Sequence, residues 1–222
     1  WQGLAAGYGF VALVAAGILW FVLRAIQTRT TLPATMRAKT VVGGWGVRDR
    51  RGFVTLASIV FLDIAVQDGF LVFVAFLMVA KEVSPALAAF AVVATLAGGV
   101  CGKFACGHLA AKLGVVRSLV LVQSLTAIVM TVVYFSPTIV AFILLPLLGV
   151  VLQGSSSISY ATVSNFVHDA RQSRGFAAIY TMSNGASVAG PLVFGFVADS
   201  FHLGVSVAAM VGATLITLPL AV

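Results

Sequence analysis

Charge is what this sequence has least of: 9% of its 222 residues are Asp, Glu, Lys or Arg, while 61% are hydrophobic. Water-soluble surfaces commonly carry roughly a quarter or more of charged residues. A soluble single domain is therefore excluded, because one globular core cannot bury so much apolar side chain and lipid has to cover the excess. Cysteine is nearly absent, with two copies. Cys101 and Cys106 stand about 140° apart around a helix axis, which makes them poor disulfide partners. No histidine lies beside them at ligand spacing, so neither a metal site nor a cofactor is expected. Nor does any nucleophile stand beside a base and a third positioning group, and the chain does not read as an enzyme. No basic residue precedes the first apolar run, which is long enough to span, so no cleavable signal peptide is expected.

What is present is a series of apolar runs. A helix needs about 20 residues to cross roughly 30 Å of hydrocarbon, and seven runs near 4–23, 53–79, 85–106, 115–135, 138–167, 176–198 and 203–222 qualify. Helix is imposed, since open strands would leave backbone groups unpaired in lipid. The fold class expected is all-α integral membrane, with about seven transmembrane helices.

The net charge of +7 raises the question of nucleic acid, but the distribution answers it. Arg24, Arg29, Arg37, Lys39, Arg48, Arg50 and Arg51 follow the first run; Lys103, Lys112 and Arg117 follow the third, and Arg171 and Arg174 the fifth. Twelve of thirteen basic residues thus fall on one side, leaving Lys81 on the other. By the positive-inside rule the basic side is cytoplasmic, placing Trp1 outside and Val222 inside a bacterial inner (plasma) membrane. No nucleic-acid partner is expected. The organisation predicted is one transmembrane helix at 1–23, a basic cytoplasmic linker at 24–52 and a six-helix bundle at 53–222. Both ends look cut, so the chain is expected to be a fragment.

The turn after the third run reads GHLAAKLGVVR over residues 107–117. It resembles the cytoplasmic signature G-x-L-A-D-[RK]-x-G-x-x-[RK] of the major facilitator superfamily, matching at Gly107, Leu109, Ala110, Lys112, Gly114 and Arg117, with Ala111 in the acidic position. Residues 185–199, GASVAGPLVFGFVAD, are similar to the family's Gly-Pro-containing eleventh helix. The resemblance implies the last helix of an N-terminal half, the central loop and a six-helix C-terminal half. It also implies secondary transport by alternating access, with membrane lipid, a small-molecule substrate, protons and the missing N-terminal half of the same protein as partners. Gly107, Lys112, Gly114 and Arg117 would form the cytoplasmic gating motif.

Ionisable groups inside a span are costly unless a cavity or a partner receives them. Asp63 lies about 15 Å into its span and Asp68 about 7 Å further. Both are proton-coupling candidates, on faces about 140° apart, with a structural acid as the alternative for each. Gln67 shares the Asp63 face. Gln153, Ser156, Ser157, Tyr160 and Ser164 form one helical stripe, and Tyr180, Ser183, Asn184 and Ser187 another. Of these, Gln67, Gln153, Ser157, Tyr160, Tyr180 and Asn184 are substrate-cavity candidates; interhelical hydrogen bonding is the simpler account of the serines. Gly98, Gly99 and Gly102, like Gly185, Ala189 and Gly190, suit close helix packing. His168 and Asp169 suit capping or contacts at the membrane surface. A seven-helix receptor or sensor is the competing reading, weakened by the long basic gap after the first run and by the lack of a mid-span lysine.

Overall fold

The computed structural model describes residues 13–14, 16–18, 20–21, 24 and 46–221. Residues 1–41 form a unit apart from 42–222. The described residues between 13 and 24 are helical, whereas most of the expected first span and the linker residues 25–45, with Arg29, Arg37 and Lys39, lie outside the described residues.

Six helices make the second unit: α1 Arg50–Ala80, α2 Pro85–Leu113, α3 Val115–Phe135, α4 Thr138–Phe166, α5 Gln172–Ser200 and α6 Leu203–Ala221, with one 3-10 turn at Asp169–Arg171. Their limits follow from local chemistry. Asp49 accepts a hydrogen bond from the Arg51 backbone N–H and so caps α1 three residues before the apolar run begins. Pro85 opens α2, where its missing N–H costs nothing. Gly114 (φ 82°, ψ 163°) separates α2 from α3 in a conformation that side chains rarely adopt. The helices outrun their apolar cores at one end. At 31 residues α1 is about 46 Å long against a hydrocarbon layer of roughly 30 Å. The overhangs of α1, α2 and α5 carry Arg50, Arg51, Lys112 and Arg174, which define a basic end.

Helices α1, α2, α3, α4 and α6 are each long and apolar enough to cross a membrane. At 29 residues α5 matches α2 and α4 in length, but Thr181, Ser183, Asn184 and Ser187 dilute its apolar character. Large side chains cover the outside, with Phe104, Phe135 and Ile139 each more than three-quarters exposed. Hydrocarbon is the solvent such a surface fits.

Helix α2 lies along α4 and α1 along α5; α3 packs on α4 and α6, and α6 returns to α1. The pairing of α1 with α5 mirrors that of α4 with α2, the pattern of a pseudo-two-fold relating the first three helices to the last three. Glycine permits the close approaches. A Cβ at Gly98 would strike the Pro146 carbonyl, one at Gly102 the Val150 carbonyl, and one at Gly149 the Thr95 carbonyl. Gly190 meets Ala65 in the same way on the α1–α5 side, whereas Gly185, expected to pack alongside it, faces open space. Phe70, Met78, Met130, Leu145, Leu148 and Met210 fill the main core.

Each end has a clasp. Opposite the basic end, Lys81 donates to the carbonyls of Tyr134 (2.9 Å) and Ser136 (2.6 Å), closing the C-terminus of α3. At the basic end Val47 and Val167 form an antiparallel bridge, with Arg48 N–H on the Phe166 carbonyl (2.8 Å) and His168 N–H on the Gly46 carbonyl (2.9 Å). Arg48 also donates to His168 Nδ1 at 3.4 Å and pairs with Asp169 at 3.8 Å. Asp169 accepts from Gln172 at the start of α5.

Candidate functional site

A polar side chain buried in an apolar helix is costly without a partner, and two polar groupings result. The first centres on Asp63 of α1, which is 4% exposed. Its Oδ1 accepts from Gln123 Nε2 of α3 at 2.7 Å, and the Ser155 hydroxyl of α4 lies 2.9 and 2.8 Å from its two oxygens. One turn along α1, Gln67 donates to the Leu152 carbonyl of α4 at 3.4 Å. Among the described residues no Lys, Arg or His bonds to Asp63.

Ser155 has a choice of acceptors, because its hydroxyl also lies 3.0 Å from the Leu152 carbonyl. A hydroxyl has one proton to give and can rotate between acceptors. With Asp63 ionised, Ser155 donates to the carboxylate. With Asp63 protonated, the carboxyl can donate to Ser155 Oγ while Ser155 donates to Leu152. The site can thus hold or release one proton without stranding a buried hydrogen-bonding group, which would otherwise cost about 1–3 kcal/mol.

The second grouping joins α4 and α5. Tyr160 donates to Ser183 Oγ at 3.0 Å, and its ring stacks on Tyr180 with centroids 5.0 Å apart and planes 20° from parallel. Asn184 is exposed and donates to the Tyr180 carbonyl one turn back (2.9 Å); Tyr180 is itself half exposed. The face is therefore aromatic and polar on an otherwise greasy surface, a setting in which large amphipathic side chains contact a ligand or another protein surface.

These candidates do not form one cluster. Asp63 and Gln67 come together, as do Tyr160, Tyr180 and Asn184. Gln153 instead packs its stem over Gly99 of α2, and half-buried Ser157 hydrogen-bonds to neither group. Asp68 is half-buried and stands outside the Asp63 cluster. Ser156 and Ser164 bond back to carbonyls of their own helix, at 2.9 and 3.2 Å, instead of bridging helices. The sequence reading missed Gln123 and Ser155. A lone amide within the apolar α3 was the available signal for Gln123; Ser155 sits between two stripe positions and gave none.

At the basic end the α2–α3 turn presents exposed Lys112 and Arg117, with Gly114 supplying its backbone reversal; Gly107 faces open space. A cavity of about 320 Å³ opens nearby between α1, α3, α4 and α6, and it includes none of the substrate candidates. A family model described as Major Facilitator Superfamily matches residues 56–222, from the first turns of α1 to the end of α6. No curated protein matches the chain.

Proposed function

The chain belongs to the Major Facilitator Superfamily, and on that premise we propose that it is the C-terminal part of a secondary transporter that moves a small molecule by alternating access and couples the movement to protons. The chain is a multi-pass membrane transporter of the major facilitator type. The observation that carries it is the three-way arrangement of Asp63, Ser155 and the Leu152 carbonyl, where one rotor serves both protonation states. An intramembrane carboxylate without a cation is costly in its charged form, so loading and unloading a proton is energetically tied to how tightly α1, α3 and α4 enclose it.

In this reading Asp63 carries the proton, with Gln123 and Ser155 as its positioning residues, and Asp68 stands nearer the opposite end as a gate. The stacked Tyr160 and Tyr180, with Asn184, face the substrate path and a second six-helix half supplied by the rest of the protein. Gln67, Gln153 and Ser157 line neighbouring parts of α1 and α4. Lys112 and Arg117 lie on the cytoplasmic side and engage that second half when the path is closed there. A seven-helix receptor is disfavoured, because the family match covers the six-helix unit and leaves out residues 1–55.

The test is uptake by the intact protein in proteoliposomes with and without a pH gradient. Asp63→Asn should abolish gradient-driven accumulation while leaving downhill exchange. If Asp63→Asn accumulates substrate as the unaltered protein does, Asp63 is a helix clamp and not a proton carrier. Tyr160→Ala should raise KM for substrate without altering proton dependence.

A further inference from the structure

We propose that the cavity at the basic end is a binding site for one acyl chain of an anionic phospholipid, whose phosphate is held by Arg50, Arg51 and Arg117. The cavity, of about 320 Å³, is walled by Leu56 and Ile59 of α1, Leu119 of α3, Phe166 of α4 and Leu220 of α6. That volume lies near the lower end of the range for small-ligand sites, roughly 300–1,000 Å³. It suits one hydrocarbon chain.

Shallow grooves adjoin the cavity on both flanks, each sharing one wall residue with it. Thr55 is shared with a groove lined by Arg50, Arg51 and Val54, and Val116 with one along α3 that includes Arg117. Val54 and Val116 are about half exposed, so the mouth looks outward, where hydrocarbon would be. A ligand fitting this shape is apolar along its length and negative at one end.

Two further observations support that chemistry. Ser159 is 1% exposed and lines the cavity, yet its hydroxyl has no hydrogen-bond partner. A buried donor of this kind calls for an acceptor, and the ester carbonyl of a lipid would supply one. Helix α3 also begins at this end with no side-chain cap, so its N-terminal dipole favours an anion there. Asp49, beside Arg50 in sequence, caps α1 by accepting from the Arg51 backbone N–H.

The experiment compares phosphatidylglycerol with phosphatidylcholine of identical chains, added to the full chain in detergent, with bound lipid read by native mass spectrometry and stability by thermal unfolding. Phosphatidylglycerol should bind and raise Tm more than phosphatidylcholine. Arg50→Gln, Arg51→Gln and Arg117→Gln should each weaken that preference roughly fivefold, as expected for loss of one surface cation near an anionic lipid. Thr55→Phe, which fills the cavity, should remove the response to phosphatidylglycerol while the lipid-free Tm stays near that of the unaltered chain. Equal binding of the two lipids, or a headgroup preference undiminished by Arg117→Gln, would overturn the proposal. Arg117 is exposed and its replacement leaves the core untouched, so that variant serves even if the cavity-filling one fails to fold. Retained binding in a folded Thr55→Phe variant would place the lipid elsewhere and equally overturn it. None of these readouts depends on transport, so their outcome is separable from that of the proton-coupling test.

Discussion

Gln123 of α3 donates its side-chain amide to Asp63 of α1 at 2.7 Å, joining two helices that each look uniformly apolar at that depth. The bond is buried at both ends: truncating Asp63 strands the Gln123 amide, and truncating Gln123 leaves the buried carboxylate with Ser155 as its one donor among the described residues. Gln123→Leu should therefore destabilise the bundle by about 1–3 kcal/mol. Asp63→Asn should cost less, because an asparagine can still bond Gln123 and Ser155. Unfolding of the three variants in mixed micelles, including the double mutant, would show it: the double mutant should be more stable than the sum of the single losses implies.

Glycine substitutions along α2 should divide sharply. Gly98→Ala places a methyl group against the Pro146 carbonyl of α4 and has to push two backbones apart, at a cost of about 1–3 kcal/mol. Gly107→Ala, nine residues on and facing open space, should be neutral or stabilise by about 0.4–1 kcal/mol. Thermal unfolding of the pair separates packing from propensity.

Gly114→Ala tests the turn between α2 and α3. The backbone there, at φ 82° and ψ 163°, is almost exclusive to glycine, and an alanine should cost about 1–3 kcal/mol. Neighbouring Lys112→Ala, at an exposed site, should leave stability within about 0.5 kcal/mol. Thermal unfolding of both variants would assign the glycine of the motif a backbone role distinct from that of its charges.

Lys81→Met should leave the Tyr134 and Ser136 carbonyls without their donor. Hydrogen exchange at residues 134–138 should rise, with a loss of about 1–3 kcal/mol in stability. Exchange at the far end of α3, around Arg117, should not change.

The spans of the bundle were legible because lipid demands runs of apolar side chain, and the turns because Pro85, Gly114 and Pro137 interrupt them. Helix ends were less so: α1 reaches back to Arg50, and the deciding feature, an Asp49 cap, is independent of hydropathy. Within the candidate site, periodicity placed Asp63 and Gln67 on one face, as it did Gln153 and Tyr160. It could not say which neighbour each face meets. Gln153 turns to α2 and Tyr160 to α5, although both belong to one stripe, since a helix face wide enough for five polar residues touches more than one partner. Ser155 was invisible for a related reason: its importance lies in a carboxylate 92 residues away.

The short bridge between Val47 and Val167 moors the residues just ahead of α1 to the junction of α4 with α5. The entry of α1 is thereby fixed to the two helices bearing the stacked tyrosines, so a displacement of Val47 and one of Val167 are a single event.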